Sequence, residues 1–167
     1  MIRIATENDV EAIVRRECPP WTKPEELRAK WSGYFQEQQA AVRTVGIVGS
    51  GSEIFGYGSL LLQSKYPHFA GIPEIHDVWI FEKHRRLGYG RALITWLEEV
   101  AREMGYNEIG IGVGLYADYG AAQRLYAQLS FLPDGHGVTY GYQPTVPGKS
   151  YPVDDELILW LKKKIIT

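Results

Sequence analysis

The nine residues Lys83-His84-Arg85-Arg86-Leu87-Gly88-Tyr89-Gly90-Arg91 join a β-like run, 75–81, to an amphipathic stretch that ends at Gly105. In that stretch Leu93, Trp96, Leu97, Val100, Ala101 and Met104 recur at helical spacing. A strand that turns sharply into a helix leaves the N–H groups of the first helical turn without partners, at the positive end of the dipole. Two glycines let the backbone turn tightly and lie close to a ligand. Arg85, Arg86 and Arg91 add positive charge beside them. The segment therefore reads either as a pyrophosphate cradle or as a helix start with a solvated basic face. Two other phosphate motifs fail. A dinucleotide fingerprint needs a small residue where Leu93 stands and an acid at the end of the next strand, whereas Glu108 lies near its start. A P-loop ending in Gly148-Lys149-Ser150 needs glycine where Gln143 stands.

The rest of the chain predicts a mixed α/β domain in the order βααββ-βαβα-ββ, a single domain over 1–167. A strand at 2–5 precedes a helix capped at Thr6 or Asn8. Pro24-Glu25-Glu26 starts a second helix that runs to about residue 40. Strands at 42–48 and 54–62 flank the turn residues 49–52, and further strands are predicted at 75–81, 109–113, 138–142 and 156–161. A helix is predicted over 119–129, with Asp118 as its cap, and Pro133 closes that stretch. Lys162-Lys163-Lys164 reads as a solvated end.

Composition narrows the function classes. The 167 residues are 45% hydrophobic and carry 18 basic against 20 acidic side chains, a net charge of −2. That balance argues against a nucleic-acid acceptor. One cysteine, Cys18, excludes an internal disulfide and a cysteine-rich zinc site. The four histidines are scattered, so no metal is expected. No run approaches about 18 consecutive apolar residues and no basic–apolar leader is visible, so no membrane role is expected and the cytoplasm is the default.

Arg85-x-x-Gly88-x-Gly90 after a strand resembles the acetyl-CoA signature, Q/R-x-x-G-x-G/A, of the GCN5-related N-acetyltransferases (GNAT). Leu125-Tyr126 followed by Leu129-Ser130-Phe131 resembles that family's second signature, and the likeness covers nearly the whole chain. It implies a GNAT-like acyl-CoA N-acyltransferase fold, with acetyl-CoA as co-substrate and no metal. The backbone amides of Arg86, Leu87, Gly88, Tyr89, Gly90 and Arg91, introduced by Arg85, would bind the pyrophosphate. The strand at Val78–Ile80 would pair with the pantetheine arm and splay from the next strand at a bulge. The N–H near Ile80 would polarise the thioester carbonyl. Tyr119 falls where the family often places an asparagine that contacts CoA. Members often form homodimers, and the sequence leaves the oligomeric state open.

Acetyl transfer to an amine needs a base for an ammonium of pKa about 10.4 and help for a thiolate whose thiol pKa is about 8.5. By resemblance Tyr126 is the candidate acid beside sulfur, although its neighbours Leu125 and Leu129 also fit a core tyrosine. Glu74, eleven residues before Arg85, matches the offset of the catalytic glutamate in the family's histone-acetyltransferase branch, and it also fits a solvated strand start. His76 lies two residues on, on the same strand face, and is the alternative base; Asp77 faces the other way. The acceptor, a small-molecule or peptide amine, is expected against residues 18–35, 65–73 and 136–153. Those regions hold the aromatics Trp21, Trp31, Tyr34, Tyr66, His68, Tyr140 and Tyr142 and the acids Glu25, Glu26 and Asp134, with Asp154 and Asp155 just beyond. The alternative to an enzyme is a non-catalytic acyl-CoA-binding regulatory module.

Overall fold

The computed structural model describes residues 1–17 and 22–166; Cys18 and Trp21 lie outside the described residues. It divides into two compact units, Met1–Leu61 with Asp77–Leu97, and Leu62–His76 with Glu98–Thr167. The expected mixed α/β order is present, with four α-helices among the described residues.

In the first unit β1 (Ile2–Ile4), β2 (Arg43–Ser50) and β3 (Glu53–Leu61) pair antiparallel in that order. Thr6 opens a short 3-10 turn in which its N–H donates to Asp9 Oδ2 at 2.8 Å, and α1 (Val10–Glu17) follows. Pro24 begins α2 (Pro24–Gln39), and Glu26 reaches back to accept from the Lys23 N–H at 3.3 Å. Trp31, Phe35, Val45, Ile47 and Tyr57 form the core of this unit. The first part of α3 (Tyr89–Glu103) packs on β2 and β3. A Cβ on Gly46 would stand 2.5 Å from the Trp96 ring, so the bare backbone there is what lets that ring lie down.

The second unit holds β5 (Glu108–Gly114), α4 (Gly120–Gln128), β6 (Leu132–Tyr140), β7 (Gln143–Pro144) and β8 (Leu157–Lys164). It also holds the start of β4 (Glu74–Ile80), whose first two residues pair parallel with β5. β8 lies antiparallel between β5 and β6, and β7 pairs with β6. Tyr66, Phe69 and Trp160 form a compact aromatic core, with Tyr66 stacked on Trp160 at 4.2 Å.

Three local expectations are corrected. The lysines 162–164 are not a frayed end. β8 runs through them, and Lys163 Nζ donates to both carboxylate oxygens of buried Glu98 at 2.9 and 2.8 Å, which draws the last turns of the strand into the fold. Asp118 does not cap α4. It sits inside the 3-10 turn Ala117–Tyr119, and the helix starts at Gly120, with the Tyr119 ring lying close over Gly114. β6 begins at Leu132 rather than 138. Pro133 is tolerated because the ladder with β8 shifts register between it and Val138, and irregular pairing of this kind accommodates a missing N–H.

Candidate active site

The turn ahead of α3 is shaped by its backbone. After a 3-10 turn at Glu82–His84, Arg85 is extended, and Arg86 and Gly88 take left-handed φ values of 61° and 86°. A Cβ on Gly88 would meet nothing within 4 Å, so glycine is there for its conformation and not for space. Helix bonding begins with Ala92 N–H donating to Gly88 O at 3.0 Å. The N–H groups of Tyr89 and Gly90 thus belong to a first helical turn, whose donors find no acceptor within the helix itself. Leu87 is exposed, and so are the side chains of Arg86 and Arg91. Tyr89 anchors the helix start by resting on Phe55 at 4.8 Å.

Arg85 folds back on β4. Its Nε donates to Ile80 O at 2.8 Å and its guanidinium sits 5.0 Å from the Trp79 ring centre. The side chain that opens the signature therefore ties the turn to the strand before it. Val78 and Ile80 lie on a stretch held against β3, where Phe81 N–H donates to Phe55 O and a Cβ on Gly56 would be 2.4 Å from Trp79 O. A kink precedes this stretch: Asp77, inside the strand, has φ 53°. Its carboxylate pairs with Lys30 and accepts from Tyr34 OH at 2.9 Å, so two residues of α2 hold it.

The second unit carries the titratable candidates. Glu74 is only 5% exposed, and Ser64 Oγ donates to its Oε2. His76 lines a cavity of about 210 Å³ with Tyr142, Asp155, Glu156, Ile158 and Trp160, and Thr139 completes the wall. Trp160 Nε1 donates to Thr139 Oγ1 at 2.8 Å, which fixes the indole. Tyr142 stands at φ 67° beside Gly141 at φ 54°, the pair of left-handed residues that a tight two-residue hairpin needs between β6 and β7. Burial, then the charges of Glu74 and Glu156, raise the Tyr142 pKa, which puts both carboxylates within electrostatic reach of that phenol.

Tyr126 is buried, its ring 6.2 Å from Phe131, and burial alone pushes its pKa up to about 12. Tyr119, expected to touch the cofactor, spends its hydroxyl on Asp155 Oδ1 at 2.9 Å, and Tyr116 OH donates to the same oxygen. Of the acceptor-side residues expected from sequence, Tyr142 and Asp155 do line the cavity. Trp31 and Tyr66 are core. Asp134 accepts from Tyr66 OH, and Asp154 from Tyr140 OH. Thr139 falls in the expected 136–153 segment without being singled out, and sequence reasoning missed Glu156, Ile158 and Trp160. The alternation of Ile158 and Trp160 along a strand was the available signal for two of them. Among the described residues no group of His, Cys, Asp or Glu is arranged to hold a metal ion, and no helix is long and apolar enough to cross a membrane.

The model of the acetyltransferase (GNAT) family matches residues 10–131. The chain belongs to the GNAT acetyltransferase family. No curated protein matches the GNAT chain at a significant level. Among solved structures, an N-acetyltransferase from Staphylococcus aureus Mu50 superposes with a TM-score of 0.74 at 18% identity, covering 99% of this chain and 98% of that one. A ribosomal-protein-alanine N-acetyltransferase from Brucella melitensis gives 0.69 at 21%, covering 98% and 99%. A Salmonella typhimurium protein solved with its cofactor acetyl-CoA gives 0.71 at 19%, covering 100% and 94%. At these identities the likeness establishes the GNAT fold.

Proposed function

We propose that the protein is an acetyl-CoA-dependent N-acetyltransferase that moves the acetyl group to a primary amine by direct attack in a ternary complex, with the whole chain, 1–167, serving as one catalytic domain. The left-handed turn at Arg86 and Gly88 carries this reading, because it frees the N–H groups that open α3 and leaves the space over Gly88 clear for a diphosphate. The amides of residues 86–91 hold the pyrophosphate, and Arg85 braces them against β4. Val78–Ile80 aligns the pantetheine arm, and the Ile80 N–H faces the thioester oxygen as charge develops there.

Glu74, or His76 in its place, takes the proton that the ammonium must lose before attack. The nitrogen forms its bond to the carbonyl carbon, the tetrahedral adduct collapses, and the C–S bond breaks. Tyr126 donates a hydrogen bond to the departing sulfur. With its pKa at about 12 against about 8.5 for a thiol, outright proton transfer would run uphill by roughly 5 kcal/mol, so the proton that ends on sulfur comes from solvent or the base.

Acetyl-CoA should raise the melting temperature, and a thiol-release assay over a panel of primary amines should find an acceptor. Binding of acetyl-CoA with no thiol released for any amine would instead favour a regulatory module that senses acyl-CoA.

A further inference from the structure

We infer that the cavity on the β6–β8 face selects a short aliphatic diamine, a primary amine with a second ammonium a few carbons away. This rests on the N-acetyltransferase reading and adds the class of acceptor. The chemistry of the wall divides in two. At one place stands His76, two residues from Glu74, where a proton can be taken. Asp155 and Glu156 line the same space with the rings of Tyr142 and Trp160, and no lysine or arginine is among the described lining residues. The reacting nitrogen must become neutral, and anionic neighbours oppose that, because they favour its charged form. Carboxylates kept in an acceptor cavity therefore serve a charge that survives the reaction: the second ammonium, which leaves with the product as it entered.

Three further features support a built subsite. Tyr116 and Tyr119 both donate to Asp155 Oδ1, which orients that carboxylate from the β5–α4 connection. The Gly141–Tyr142 hairpin turn sets the Tyr142 ring against Trp160, with ring centres 5.9 Å apart. The half-buried Tyr142 ring offers a π face that attracts an alkylammonium, while the Trp160 indole behind it is buried against Tyr66. The volume, about 210 Å³, is below the roughly 300 Å³ at which pockets for drug-sized ligands begin, so it suits a thin alkyl chain and not a sugar ring. In the proposed reaction one nitrogen gains acetyl as sulfur loses it, and the other nitrogen keeps its proton and its contact with Asp155.

The test compares diaminobutane with n-butylamine. Each exposed ion pair or cation–π contact is worth a few-fold, so kcat/KM for the diamine should exceed that for butylamine by about tenfold or more. In the double variant Asp155→Asn/Glu156→Gln that preference should vanish through KM. Titration calorimetry of diaminobutane into the protein, wild type against Asp155→Asn, reads the same contact without catalysis and should show binding about threefold weaker in the variant. Equal kcat/KM for the two amines, a preference that survives the double variant, or identical binding by the two proteins would overturn the inference while leaving the acetyltransferase intact. Thiol release from no amine, with diamine binding that still depends on Asp155, would remove the acetyltransferase and keep the cation subsite.

Discussion

In the first unit the residues proposed for the diphosphate are six neighbours in sequence, 86–91, and what shapes them is backbone: left-handed turns at Arg86 and Gly88, then the start of α3. In the second unit the cavity wall is drawn from β4, β6, the β6–β7 turn and β8, and what shapes it is side chains held by other side chains. A ligand common to a family can be met by peptide groups, which every residue supplies. A ligand particular to one member needs a wall that changes with each substitution. Variants of the first kind should therefore fail through conformation, and those of the second through chemistry.

The largest effect is expected where one hydroxyl acts on the reacting sulfur. Tyr126→Phe should cut kcat about 100-fold, near the upper end of what a hydrogen bond to a charged atom contributes, roughly 3 kcal/mol, with acetyl-CoA affinity unchanged by calorimetry. Because burial raises this phenol to about 12, it stays protonated through pH 11, and no alkaline fall of kcat near 10 should be traceable to it. Normal turnover in the phenylalanine variant would leave Tyr126 as a core residue. Next comes Lys163→Met, which strands the Glu98 carboxylate at 5% exposure. An unpaired buried charge costs about 3–5 kcal/mol, and the partial exposure of Lys163 lowers that to about 3 kcal/mol, a drop in Tm of roughly 5–10 °C. If Glu98→Gln in the same background restores the loss, the stranded charge was its cause.

The first unit should break differently. Gly88→Val places a β-branched residue at φ 86° where nothing crowds its Cβ, so its effect is purely conformational. About 2 kcal/mol of backbone strain corresponds to roughly 30-fold weaker acetyl-CoA binding. Gly88→Asn, which visits left-handed backbone readily, should keep most of the affinity. Equal losses in both variants would mean that space over Gly88, and not φ, is what the ligand uses.

The same contrast separates what is legible in the sequence from what is not. Glycine spacing after a strand is a local signature, so the turn at 85–91 can be located from its own residues, as can α3 from its apolar repeat. Pro24 and Glu26 mark the start of α2 in the same way. The cavity cannot be found so. The partners of Asp155 are 36 and 39 residues away, and nothing local distinguishes it from Asp154, which is tied up by Tyr140. The lysine run at 162–164 misleads for the same reason: its solvated appearance is local, and the carboxylate that recruits Lys163 is 65 residues away. Tyr119 is singled out by its place in a motif, and the geometry gives its hydroxyl to a residue the motif does not contain.

The smallest effect tests the locally encoded end of this range. Asp9 sits in a box closed within six residues: Arg3 donates to both its oxygens at 2.8 and 2.6 Å, and the Thr6 N–H and hydroxyl donate to Oδ2. Burial pushes its carboxyl up, but the hydrogen bonds from Arg3 and Thr6 and the charge of Arg3 outweigh that and hold it below its ordinary value of 3.8. A group depressed in the fold adds stability that is present above its unfolded pKa, about 3.9, and is lost as pH falls through the folded value. Asp9→Asn should thus cost about 1 kcal/mol near pH 7, roughly 2–4 °C in Tm, and the gap to wild type should close as pH falls below the unfolded value of about 3.9 and on through the folded one. A gap of constant size from pH 7 to pH 3 would assign the loss to packing of the turn, and the carboxylate would then contribute by shape and not by charge.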